Sequence, residues 1–167
     1  HAIYDFAGAH KLRVVEDAAH AFGSSFEGKK VGSMGDVVCF SFDGIKNITA
    51  GEGGAVVTRD SSVYSKVSDA RLLSVAGDSQ NRYRGQRTWD FDVVDQGWRY
   101  HMSEIMAAIG RVQLSRLEKE FRAIRIQLLE QYRKRLESVA GIELFSTHPG
   151  TLAFMFPIKV LNGKRDR

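Results

Sequence analysis

The sequence predicts an α/β fold, and three observations carry that prediction. Apolar runs of strand length occur at Leu12 to Val15, Asp36 to Phe42 and Gly54 to Thr58. Stretches with helical spacing stand before, between and after them, at Ala2 to His10, Asp60 to Leu73 and Ser103 to Ser138. Glycine punctuates the connections, at Gly28, Gly32, Gly35, Gly51, Gly53 and Gly54, so no long element fits there.

The elements follow in order. Ile3, Phe6 and Ala7 mark one face of a first helix, and Leu12-Arg13-Val14-Val15 then reads as a strand ending at Glu16-Asp17. Small residues, Ala18-Ala19-His20-Ala21, lead into the glycine-rich stretch. Val37-Val38-Cys39-Phe40 is the centre of a second, buried strand, in which Cys39 reads as a small buried hydrophobe. Gly54 to Thr58 is the third strand, and Asp60 caps the helix after it. A polar loop from Gly77 to Tyr100 shows no clear periodicity, and loops of that length inside compact domains are usually functional. Ser103 is the N-cap of a long helix with Glu104 in its first turn. Ile105, Ile109, Val112, Leu117, Phe121, Ile124, Leu128, Tyr132 and Leu136 form its apolar face. Gly141 caps that helix, and Ile142 to Phe145 and Thr151 to Val160 are expected strands of a further unit.

Composition narrows the function class. The 167 residues are 43% hydrophobic and 26% charged, which excludes disorder. The single cysteine excludes a disulfide framework and fits a reducing compartment. With no apolar run of membrane-spanning length and no signal pattern, a cytoplasmic protein is expected, without a membrane partner. The net charge of +4 concentrates between Arg111 and Arg135, where Glu118, Glu120 and Glu130 are interleaved. That mixture reads as a solvated helix face and not as a nucleic-acid stripe, so no nucleic-acid partner is expected. The chain begins at His1 inside a helical pattern and stops at Lys164-Arg165-Asp166-Arg167 just after a strand-like run, so it is expected to be the interior of a longer protein.

Two places have the residue types for chemistry. Glu16-Asp17 puts carboxylates at the C-terminal end of a strand, where α/β sheets bind ligands. Position alone also allows a cap for the following turn. Phe40-Ser41-Phe42-Asp43-Gly44-Ile45-Lys46-Asn47, closed by Gly51-Glu52-Gly53-Gly54, delivers a serine and then a lysine into a loop. A lysine held against a protein interior becomes a usable nucleophile for a carbonyl. Taken alone, the same lysine also reads as an exposed residue of a flexible loop, and Glu52 with its glycines as a conformational device.

The combination is more specific. Glu16-Asp17-Ala18-Ala19-His20-Ala21, Gly32-Ser33-Met34-Gly35-Asp36, Phe40-Ser41-Phe42, Lys46-Asn47-Ile48-Thr49 and Gly51-Glu52-Gly53-Gly54 closely resemble, in order, the signature of the DegT/DnrJ/EryC1/StrS family. Gly97-Trp98-Arg99-Tyr100-His101-Met102-Ser103-Glu104, followed by Ala107-Ala108-Ile109-Gly110 and Gln113-Leu114, resembles the next landmark. The resemblance implies a pyridoxal 5'-phosphate (PLP) sugar aminotransferase of the type I aspartate-aminotransferase fold, with a mostly parallel sheet. By it, residues 1–102 would be part of the large domain, 103–140 the interdomain helix and 141–167 the beginning of the small domain.

The resemblance also implies roles. Lys46 would hold the cofactor as an internal aldimine and shuttle a proton. Asp17 would pair with the pyridine nitrogen. His20 would lie near the ring oxygen, its other reading being a packed histidine on a short helix, and Ser41 would contact the cofactor phosphate. Arg99 stands where many members have an asparagine that reaches phosphate across a dimer interface, and its guanidinium would serve the same anion or, in the other reading, point elsewhere. Trp98 and Tyr100 would face substrate or pack at that interface. No metal ligand is assigned. The implied partners are a nucleotide-activated ketosugar, glutamate as amino donor and a second copy in a homodimer. Phe42 to Asn47 and Trp98 to His101 look like the branch that acts on dTDP-linked 3-keto-6-deoxy sugars. Relatives that dehydrate sugars, which typically have His at the Schiff-base position, and catalytically lapsed regulatory relatives are the alternatives. Under half of a typical member is covered, so the chain alone is not expected to turn over.

Overall fold

A computed structural model of the chain describes residues 2–77, 81, 84–86 and 91–163. The first helix, α1 (Ala2–Ala9), ends where Lys11 takes a left-handed φ of 54° and Leu12 N donates to Ala7 O at 2.8 Å. That turn uses up the residues expected to begin the first strand, so β1 starts late and runs over Val15–Asp17. A tight hairpin follows, β2 (Ser25–Phe26) and β3 (Lys29–Lys30), whose two turn residues, Glu27 and Gly28, both have positive φ as a two-residue turn of this hand requires.

The central sheet is mixed. β4 (Val37–Ser41) lies between β1, which is parallel to it, and β5 (Gly54–Thr58), which is antiparallel. Both main strands fall where the apolar runs place them. Val38 and Phe40 are buried while Val37, Cys39 and Ser41 are half-buried, the alternation of a strand with one face on a core. Cys39 is thus half-buried and not a core residue, because it lies on the other face from Val38 and Phe40. Gly54 has no alternative where β5 meets β4, since a Cβ there would sit 2.3 Å from Phe40 O.

Asp60 caps α2 (Ser61–Ala70), its carboxylate accepting from Ser62 N and Val63 N. The Ser62 hydroxyl, together with those two N–H groups and Arg13, holds the carboxyl down at about 2. Arg13 forks onto both oxygens of Asp36 at 2.6 Å and reaches Asp60 at 3.0 Å, which fixes α2 against the sheet. α2 stops short of the expected Leu73 because Leu73 and Ser74 adopt φ of 61° and 53°. The expected loop from Gly77 to Tyr100 lies partly outside the described residues. Its described end is pinned back: Leu73 N donates to Trp98 O, Trp98 N to Ala70 O and Tyr100 N to Arg71 O.

Ser103 caps α3 (Glu104–Arg116), accepting from Met106 N at 3.3 Å. The long helix is unbroken from Glu104 to Leu136 but is not α-helical throughout. A π-helical turn over Leu117–Phe121 separates α3 from α4 (Arg122–Leu136), and its two apolar ends both pack on the core. Its charges pair along the surface as mixed signs at helical spacing suggest, Arg116 with Glu120 and Arg122 with Glu118, with Lys30 of β3 joining Glu118. Gly141 then takes φ 87° before β6 (Ile142–Leu144), which pairs antiparallel with β7 (Ile158–Val160). Only that last part of the expected Thr151 to Val160 strand forms, because residues before it cross to the end of the large sheet, where Leu152 is buried with Ile48 and Leu117. A first cluster of Ala18, Val38 and Phe40 lies beside this one. Phe22 links the two, set edge-on to Phe40 and Phe42 at 5.0 and 5.2 Å.

Candidate active site

The parallel pairing of β1 with β4 brings two strand ends to one edge of the sheet. Asp17 stands opposite Cys39, and Ser41 is two residues further along. Ala18 N donates to Cys39 O at 2.8 Å, and Asp17 Oδ1 accepts from Ala19 N at 3.0 Å, so the exposed carboxylate is set by the turn that follows it. The capping reading of this acidic end is met by that bond, and the carboxylate remains exposed.

After Ser41 the chain forms a loop with a closed neck. Phe42 N donates to Gly53 O and Ala50 N to Phe42 O, each at 2.8 Å. Gly53 adopts φ 131°, and Met102 lies so close over it that a Cβ would meet the methionine methyl at 2.5 Å. Inside the loop Lys46 N donates to Asp43 O at 3.1 Å, and Ser41 Oγ accepts from Asp43 N at 3.4 Å. The loop is therefore ordered by its own bonds, and Lys46 is half-buried.

Lys46 and His20 meet on a residue the motifs do not mark. Lys46 Nζ lies over the ring of Phe154, 4.8 Å from its centroid, and the His20 ring lies 4.2 Å from the same centroid. Arg99 is exposed on the strip that bridges Leu72, and its sequence neighbours Trp98 and Tyr100 stack on each other with ring centroids 6.3 Å apart. The geometry thus joins Asp17 and Ser41 at the sheet edge and Lys46 and His20 on Phe154, and among the described residues Arg99 makes no hydrogen bond or ion pair with either pair.

Two further residues organise this edge. Asn47 is buried, and its Nδ2 donates to Phe22 O and to Leu152 O, both at 2.8 Å, while its Oδ1 is buried without a hydrogen-bond partner. Arg125 of α4 reaches Lys46 O, Asn47 O and Ala153 O at 3.3 to 3.4 Å, and burial pushes its guanidinium below the ordinary arginine value. Asn47 sits inside a recognisable motif, but Arg125 looks in the sequence like another charge on a solvated helix face.

The family model of the DegT/DnrJ/EryC1/StrS aminotransferase family matches residues 1–167. The chain belongs to this family. Among curated relatives it is 43% identical over 134 residues to a GDP-perosamine synthase of Caulobacter vibrioides, a match covering 80% of this chain and 33% of that protein. Among solved structures it superposes on DesV of S. venezuelae, in complex with a ketimine intermediate, with TM-score 0.82 and 28% identity, over 99% of this chain and 41% of that one. It also matches the E. coli GDP-4-keto-6-deoxy-D-mannose-3-dehydratase with bound hydrated PLP, with TM-score 0.79 over 98% of this chain and 43% of that one. At 22% identity that likeness shows the fold alone. The chain spans 29 to 36% of the length of the curated relatives it matches. Among the described residues no helix is long and apolar enough to cross a membrane.

The family is PLP-dependent, and pyridoxal phosphate sets what the residues at this edge have to offer. Its chemistry asks for an amine for the aldehyde, a carboxylate for the ring nitrogen and a hydroxyl for the phosphate. Lys46 has the amine, Asp17 the carboxylate and Ser41 the hydroxyl, with Asp17 and Ser41 at the ends of two neighbouring strands and Lys46 on the loop that follows the second. The donor set fits.

Proposed function

We propose that the protein to which this chain belongs is a PLP-dependent aminotransferase of a nucleotide-activated ketosugar, with glutamate as donor. The observation that supports this reading best is the placement of Lys46 on an ordered loop directly after the strand that ends beside Asp17. Pyridoxal phosphate supplies an electron sink at the carbon next to the transferred nitrogen. The chain's own residues do the rest. Lys46 Nζ would hold the cofactor through its aldehyde and would take and return the proton at the substrate carbon. The Asp17 carboxylate would keep the ring nitrogen protonated, Ser41 Oγ would serve the phosphate and His20 would serve the ring oxygen. Arg99 binds phosphate, in this reading across a homodimer interface, as its exposed position allows. Residues 1–102, 103–140 and 141–167 are read as large-domain segment, interdomain helix and start of the small domain. A single free cysteine supports a cytoplasmic location.

The test uses the full-length protein with glutamate and dTDP-, GDP- and UDP-linked 3- and 4-ketosugars. Transfer of nitrogen to a sugar, with the dTDP-linked 3-keto-6-deoxy sugar preferred, is expected. Loss of water from the sugar without amination selects the dehydratase alternative. Lys46→Ala removes the borohydride-fixed link to the cofactor and lowers turnover by roughly a thousandfold or more. A Lys46→Ala protein with an unchanged cofactor spectrum overturns the lysine assignment.

A further inference from the structure

Lys46 and Phe154 lie on segments far apart in the chain, and two side chains join those segments to each other. Asn47 bonds Phe22 O and Leu152 O. Arg125 bonds the carbonyls of Lys46 and Asn47 on one segment and of Ala153 on the other. Phe22 follows His20 by two residues, and Ala153 precedes Phe154. The pieces of backbone that bear Lys46, His20 and Phe154 are therefore tied through one asparagine and one guanidinium.

Arg125 is an unexpected choice for a merely structural tie. Arg116 pairs with Glu120 in solvent, and Arg122 pairs with Glu118 while also donating to Gly23 O, so each of these arginines has a carboxylate partner. Arg125 instead takes carbonyl oxygens in a partly buried position, where desolvation disfavours its charge. A planar fork with five N–H groups spans two segments at once in a fixed geometry, which the three donors of an ammonium reproduce only in part.

We propose that Arg125 is a positioning residue for Lys46. It fixes the backbone of the nucleophile against the segment that bears Phe154, so that the amine is presented beside His20. This rests on the reading of Lys46 as the cofactor-binding lysine.

The test is made in the full-length protein, with Arg125→Met, Arg125→Lys and Arg125→Gln. The first readout needs no cofactor: competitive acetylation of Lys46 in the cofactor-free protein, followed by mass spectrometry. A change of about fivefold or more in labelling rate is expected for Arg125→Met. In the loaded enzyme kcat should fall by about tenfold to a hundredfold while KM for the ketosugar stays within about twofold, the pattern of lost positioning without lost binding. Arg125→Lys should lie between Arg125→Met and the parent. Labelling and kcat both within about twofold of the parent in Arg125→Met overturn the proposal, as does an Arg125→Lys protein no better than Arg125→Met. Where Arg125→Met does not accumulate folded, Arg125→Gln, which keeps two donors without the charge, is read by the same criteria. Lys46→Ala separates the two readings: a spectrum unchanged in that variant overturns the assignment of Lys46, whereas a normal loss there with no effect at Arg125 overturns only the positioning role.

Discussion

The sheet edge around Asn47 and the outer face of the long helix handle apolar surface in opposite ways. At the edge, Ile48, Ala50, Leu117 and Leu152 are buried to 4% exposure or less, and Phe22 packs between two further rings. Along α3 and α4, Ile105, Ile109, Val112, Ile124, Leu128 and Tyr132 are exposed. Leu128, Tyr132 and Leu136 line an open groove of about 430 Å³ with Ala153, Phe154 and Phe156, and Phe154 belongs to both regions. One region closes its core from within the chain, and the other presents an amphipathic face that the described residues leave open. The lesson is that helical periodicity specifies which residues want cover without specifying what supplies it.

The largest effect should come from emptying the closed region. Leu152 is almost fully buried, and its backbone is held by Ser24 Oγ and Asn47 Nδ2. Leu152→Ala should cost about 3 kcal/mol through lost transfer energy and the cavity left behind, measured by urea unfolding. A loss under about 1 kcal/mol would show that the edge collapses freely and is not close-packed. Next comes Gly54→Ala, which drives a methyl into Phe40 O and should cost about 2 kcal/mol by the same measurement.

These two positions also show what the chain order reveals. β4 and β5 are legible because each is a short apolar run bounded by turn residues, and their pairing needs only the intervening loop. The caps at Asp60 and Ser103 are legible because a cap is a local event between neighbours. Lys46, Asp17 and Ser41 stand in motifs whose spacing is itself informative. Phe154 and Arg125 are not legible. Asn47 meets Leu152 across 105 residues and Arg125 meets Lys46 across 79, and neither aromatic nor arginine carries a local mark of that meeting. The π-helical turn is hidden for the same reason, since it follows from Leu117 and Phe121 both seeking the second cluster.

Smaller effects probe the helical region. Ser103→Ala removes the oxygen that accepts from Met106 N and should cost about 1 kcal/mol, visible as a lowered unfolding midpoint. Glu118 ties α4 to the hairpin by pairing with Arg122 and Lys30, and those partners hold its carboxyl down at about 2. A carboxyl depressed on folding stabilises above its unfolded value of 4.5, and that contribution is lost as pH falls from 4.5 through about 2. Glu118→Gln should therefore flatten the stability profile across that acid window, and added salt should shrink the difference because the pair is exposed. An unchanged acid profile in Glu118→Gln would mean that the hairpin is held without this charge.

The smallest effect tests the open face itself. Ile105 is 77% exposed in the first turn of α3, so its side chain has given up little contact with water. Replacing it with serine removes apolar surface that is still wet, and the expected change in unfolding free energy of the chain is within about 0.5 kcal/mol. At Leu152 a truncation of similar size should cost several times more, and the ratio measures how differently the two regions use their apolar residues. A loss of about 2 kcal/mol or more at Ile105 would mean that something covers this stripe in solution, because only a side chain removed from water can lose that much on truncation. Repeating Ile105→Ser over a range of protein concentrations then separates the sources of such cover: a cost that grows with concentration comes from a second copy, and a constant one from within the chain.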